Sequence, residues 1–200
     1  MTDDRGTPRL DLHTHDALVI VDVQRDFLPG GSLAVRHGEA VIGPLNTCIA
    51  CFVSHRLLVI ASRDWHPANH CSFRDSGGPW PPHCVAQSPG ASFAQALRLP
   101  SDALIVDKGT SRDRDDYSAF GRTDLHARLR DGHVLRLFVG GLATDYCVHA
   151  TVLDALTRGY RVVVVRDAVA AVDVQPGDGS SALRRMREAG AVLAESIDLH

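Results

Sequence analysis

Apolar residues fall along this chain in short runs separated by longer amphipathic stretches. Residues 17–23 (ALVIVDV) form a nearly continuous β-branched run, the pattern of a strand buried on both faces. Similar runs recur at 57–61 (LLVIA), 103–106 (ALIV), 134–140 (VLRLFVG), 161–165 (RVVVV) and 191–193. Between them, helical spacing is read over 39–54, 124–130, 144–158 and 180–189. The 144–158 stretch is the clearest, with Thr144 as N-cap candidate, Arg158 in its last turn and Gly159 beyond. Strands separated by helices imply right-handed crossovers. The expected fold is therefore a three-layer α/β domain over residues 17–200. Its six-stranded sheet is mostly parallel, with helices on both faces. Residues 1–16 are polar and are expected to form a flexible N-terminal segment.

Composition narrows the function classes. The 200 residues carry 21 Lys+Arg against 24 Asp+Glu, a net charge of −3, with no basic patch, so a nucleic-acid partner is not expected. No apolar run approaches 18 residues, and the N-terminus has no apolar signal core. A cytoplasmic protein with no membrane partner is the expectation. Cys48, Cys51, Cys71, Cys84 and Cys147 are read as reduced thiols. The Cys48-x-x-Cys51 pair lies inside a helical apolar pattern, which favours packed core thiols over a redox or zinc motif.

In open α/β sheets, ligands bind beyond the carboxyl ends of the strands. That rule selects Asp22, Asp64, Lys108 and the 140–147 segment. Cys147 falls near the start of the best helix, where partial positive charge favours a thiolate. Its bland alternative is a buried structural cysteine. Asp22 interrupts an apolar strand, and Lys108 is the sole lysine. Each alone reads as a turn acid or a solvated cation. Together with a thiol they make an activated nucleophile. Asp64 and His66 are two apart and share one face of extended chain, a pairing suited to Zn²⁺, Mn²⁺ or Fe²⁺. His70 and His83 are both candidates for a further ligand, whereas His13 and His15 read as solvated. Phe27, Trp80 and Tyr117 stand near these groups, either as walls for a flat ring or as loop anchors.

Read together, these segments resemble the nicotinamidase (pyrazinamidase) family of the isochorismatase-like cysteine hydrolases. The resemblance rests on Val21-Asp22-Val23-Gln24-Arg25-Asp26-Phe27 with Pro29-Gly30-Gly31, and on Asp64-Trp65-His66-Pro67-Ala68-Asn69-His70. It continues through Trp80-Pro81-Pro82-His83-Cys84, Lys108-Gly109 and Gly140-Gly141-Leu142-Ala143-Thr144-Asp145-Tyr146-Cys147-Val148. It implies the isochorismatase-like hydrolase fold and hydrolysis of nicotinamide, and of pyrazinamide, through a cysteine thioester in NAD salvage. Cys147 would be the nucleophile, Asp22 the proton carrier and Lys108 the charge partner. The N–H groups of Ala143 and Cys147 would form the oxyanion hole, with a cis peptide at Leu142–Ala143. Phe27 and Trp80 would sandwich the ring, with Tyr117 nearby. Asp64, His66 and His83 would hold one divalent ion, Zn²⁺ first and Mn²⁺ or Fe²⁺ as alternatives, with His70 second in line. A homo-oligomer is compatible with this reading. The competing readings are a superfamily relative acting on a carbamoyl or ureido amide, and a non-catalytic binding protein on the same fold.

Overall fold

The computed structural model describes residues 10–200. Its strands are β1 (Asp16–Val21), β2 (Leu58–Asp64), β3 (Leu104–Lys108), β4 (Arg136–Leu142), β5 (Arg161–Ala170) and β6 (Val192–Ala194). They form one sheet in the order β3-β2-β1-β4-β5-β6, with every neighbouring pair parallel. The helices are α1 (Ile42–Ser54), α2 (Leu125–Asp131), α3 (His149–Thr157) and α4 (Asp178–Glu188).

Strand alternation splits the core into two slabs. Leu18, Ile20 and Phe138 face α1, whose Leu45, Cys48, Ile49 and Phe52 are buried against them. Val19, Val21, Leu137 and Val139 face the other way, onto Leu125 and Leu129 of α2, Val152 and Ala155 of α3, and Ala182 and Met186 of α4. This is the expected three-layer arrangement. All five cysteines are free, and the Cys48/Cys51 pair lies on α1 as packing rather than as a redox motif. No helix among the described residues is long and apolar enough to cross a membrane.

Several boundaries differ from the pattern-based ones, each for a physical reason. β1 stops at Val21, because Asp22 takes a left-handed φ of 51° and turns the chain out of the sheet. β2 and β3 run on through polar residues, so Asp64 and Lys108 are strand residues paired with each other in register. The expected helix over 144–158 is in two parts. Thr144–Val148 is a wide π turn entered from Ala143, and α3 begins only at His149. Thr144 is therefore not the N-cap.

The N-terminal boundary also moves. Leu10 pairs with Leu199, the Leu12 N–H donates to the His200 carbonyl at 2.9 Å, and Asp16 is buried against Arg136. Residues 10–16, expected in a flexible segment, are thus tied to the domain by backbone bonds and an ion pair. The rest of that segment, residues 1–9, lies outside the described residues. The long stretch over 62–100 is likewise pinned, by isolated bridges at His66–Val85, Phe73–Trp80 and Gln24–Phe93.

Candidate active site

Four adjacent strands, β3-β2-β1-β4, end on the same side of the sheet, and each delivers one part of the site. The turn after β1 carries Asp22, fully buried. β2 ends at Asp64, β3 at Lys108, and β4 leads through Leu142 into the π turn that holds Cys147. Gly141 permits the close approach of β4 to β1. Its φ is +121°, and a Cβ there would sit 2.1 Å from the Val21 carbonyl oxygen. The Leu142–Ala143 peptide is cis, as the resemblance implied.

Lys108 Nζ is the centre of the charge cluster. It lies 2.9 Å from Asp22 Oδ2, 2.5 Å from Asp64 Oδ1 and 3.4 Å from Cys147 Sγ, and donates to the Asp116 carbonyl at 3.3 Å. Ser62 Oγ donates to Asp22 Oδ1 at 2.7 Å. Asp22 Oδ2 has the ammonium beside it but no aligned hydrogen bond, so it retains a free acceptor position. Ligand-type atoms of Asp22, Asp64 and Cys147 all lie within 4.8 Å of one another.

Burial and neighbouring charge compete over the protonation of this cluster. It pushes the Asp22 carboxyl up, against the pull of Lys108 and with a further push from Asp64. Burial would also raise Asp64, but the Lys108 ammonium and the His66 ring hold it well below the usual carboxylate range. Burial opposes the charge on Lys108, yet Asp22 and Asp64 keep it firmly protonated. Cys147 is raised well above an ordinary thiol by burial, against the pull of Lys108 and with further pushes from Asp22 and Asp64. The direction is opposite to the one expected from the helix start. A thiol at Cys147 would have the Asp22 carboxylate within reach as an acceptor.

Asp64, His66 and His83 bring one ligand atom each within 4.8 Å of the others. His66 Nδ1 donates to the Gly109 carbonyl at 2.8 Å, and His83 Nδ1 to the Pro81 carbonyl at 2.8 Å. A carbonyl can only accept, so in the neutral form of either ring it is Nε2 that carries the lone pair a cation would take. Gly109 is required for this contact, since its φ is +60° and a Cβ would fall 2.4 Å from His66 Cε1. Two imidazoles and a carboxylate fit a first-row divalent ion. His70 stacks on His66 at 4.1 Å, but its Nδ1 is bonded to Ser72 Oγ at 2.7 Å and its Nε2 to the Arg114 carbonyl at 3.0 Å. Its ring nitrogens are committed, which leaves it outside the donor group.

One cavity opens onto part of each group, with Asp22, Lys108 and His66 outside its lining. It is lined by Phe27, Trp80 and Tyr117, by Asp64 and His83, and by Ala143 and Cys147. The Trp80 indole donates to the Tyr117 hydroxyl at 3.2 Å. Tyr146, which sequence reasoning passed over, also lines the cavity and meets Trp80 edge-on at 5.4 Å. Its only signal was its place beside Cys147. Ser62 was missed too, although a lone hydroxyl ending a buried apolar run is a visible hint.

Comparison with known proteins now bears on this site. Residues 16–198 match the isochorismatase domain. The chain belongs to the isochorismatase family. Among curated members of that family, the nicotinamidase of Escherichia coli is 43% identical over 203 residues, which cover 91% of this chain and 95% of the relative. Among solved structures, the pyrazinamidase of Pyrococcus horikoshii in complex with zinc is 46% identical with a TM-score of 0.87, covering 90% of this chain and 99% of that one. PnC1 from L. infantum, in complex with nicotinate, is 40% identical with a TM-score of 0.88, covering 96% and 98%.

Proposed function

We propose that this isochorismatase-family chain is a nicotinamidase, which hydrolyses nicotinamide, and pyrazinamide, to the ring carboxylate and ammonia. The observation that carries this reading is a cavity in which a buried thiol and aromatic walls meet Asp64 and His83, two of the three residues of a metal donor group completed by His66. A cavity walled by Phe27 and Trp80 suits a flat heteroaromatic ring better than a carbamoyl or ureido chain.

In this reading Asp22 takes the Cys147 proton as the sulfur attacks the carboxamide carbon. Lys108 balances the charge that moves between them. The N–H groups of Ala143 and Cys147 receive the oxyanion of the tetrahedral adduct. The C–N bond then breaks, Asp22 passes its proton to the departing ammonia, and a thioester remains on Cys147. Asp22 next takes a proton from water, whose oxygen attacks the thioester carbon. The C–S bond breaks, the acid leaves and Cys147 recovers its proton. Asp64, His66 and His83 would hold the divalent ion, Zn²⁺ with Mn²⁺ or Fe²⁺ as alternatives. When bound, that ion supplies a Lewis-acid contact for the ring nitrogen of the substrate. The nicotinate formed would enter NAD salvage.

The test is ammonia release from nicotinamide by the purified protein, before and after chelation. Release that chelation stops and added Zn²⁺ restores is the expected result. Release that survives verified metal removal would retain the thiol chemistry and discard the metal role. No release with any of the three ions would overturn the substrate assignment.

A further inference from the structure

We propose that Gln24 is a positioning residue for Asp64, clamping its backbone and thereby setting the carboxylate that faces both Lys108 and the metal donors. This rests on Asp64 being one of those donors.

The regular β1–β2 ladder ends with Val21 opposite Ser62. The Asp22 N–H still donates to the Ser62 carbonyl at 3.1 Å, but its left-handed backbone then carries the chain away from β2. Asp64, two residues further along β2, would be left with a buried N–H and C=O facing no strand, which is costly. The Gln24 side chain returns to fill that place. Its Nε2 donates to the Asp64 carbonyl at 2.8 Å, and its Oε1 accepts the Asp64 N–H at 2.8 Å. The second Nε2 hydrogen goes to the Ala91 carbonyl at 2.9 Å. Gln24 is fully buried, so no water competes for these bonds. One side-chain amide thus acts as the next peptide of a strand that has already turned away.

The position matters because of what Asp64 carries. Its Oδ1 is 2.5 Å from Lys108 and its Oδ2 is 3.6 Å from His66 Nε2. A shift of its Cα moves both contacts together. Groups that orient a ligand typically change metal affinity about 10–100-fold when removed.

The experiment is chelator competition for Zn²⁺ with the full chain, run where far-UV circular dichroism shows each variant folded. Gln24→Ala should weaken zinc binding by roughly 10–100-fold. Gln24→Glu keeps the acceptor for the Asp64 N–H but not the donors, and should weaken it less. Asn46→Ala is the control for a purely structural clamp. Asn46 bonds the Ala96 carbonyl and the Arg98 N–H in the same manner, at 2.9 and 2.8 Å, outside the cavity lining. Its loss should lower Tm and leave zinc affinity unchanged. His66→Ala gives the reference for a lost donor, and wild-type affinity there would remove the metal reading itself. If His66→Ala loses zinc while a folded Gln24 variant stays within about twofold of wild type, the clamp is overturned. If neither Gln24 variant folds, hydrogen exchange on the wild type decides. Zinc should slow exchange of the Asp64 amide, by reciprocity of the coupling, and an unchanged rate overturns the proposal.

Discussion

Asp22 and Cys147 pull in opposite directions on the same proton. In the proposed reaction the carboxylate is the base, yet its charge adds to burial in keeping the thiol protonated. Asp22→Asn should therefore separate two properties. Turnover should fall by roughly 10²–10⁴-fold with loss of the base. Iodoacetamide alkylation of Cys147 near neutral pH should become faster, because the remaining Lys108 charge favours the thiolate. In the wild type the raised thiol means that alkylation is slow at pH 7 and still climbing at pH 9, which a rate–pH profile checks. Phe27 is a simpler case. It lies 8% exposed, its ring 5.7 Å from that of His83. Phe27→Ala should cost about 2 kcal/mol of ring binding, roughly a 30-fold rise in KM, seen in steady-state kinetics. The types of these residues were legible in the chain, since an acid in an apolar strand and a sole lysine are conspicuous. The direction of the thiol shift was not. It depends first on burial and then on the charges around the sulfur, and both exist only after folding.

Secondary-structure elements were found by their apolar runs and misjudged at their polar ends. The runs report burial, whereas the strands are made by backbone pairing. Asp64 and Lys108 pair in register as strand residues although neither is apolar. β5 likewise extends to Ala170 through Arg166 and Asp167. The wide turn at Thr144–Val148 has no side-chain signature that separates it from an ordinary helix start. Glycine carries more information at this scale. Gly141→Ala would drive a Cβ into the β1 backbone at a left-handed φ, and should destabilise the fold by roughly 3 kcal/mol or more in urea denaturation. Gly43→Ala on α1 meets nothing within 4 Å, and should raise stability by up to about 1 kcal/mol.

For the whole molecule, an ion bound only by the folded state adds stability by mass action. At a hundredfold excess over its Kd the gain is about 2.7 kcal/mol. For a domain of this size that is a rise in Tm of roughly 5–10 °C. Differential scanning calorimetry with and without Zn²⁺ should show it, and His66→Ala should erase it. The three-layer architecture was legible because alternating runs and helices admit few connections. The Gln24–Asp64 bonds were not, because they join residues 40 positions apart through a side chain. The same separation has a further consequence. Asp22, Asp64, Lys108 and Cys147 follow or end four different strands, so the proposed catalytic set exists only once β3, β2, β1 and β4 have come together. Non-local pairing is slow to form. Turnover is therefore a clock for the joining of those four strands: on dilution from denaturant, helical signal should return before ammonia release does, and the interval between them measures their assembly.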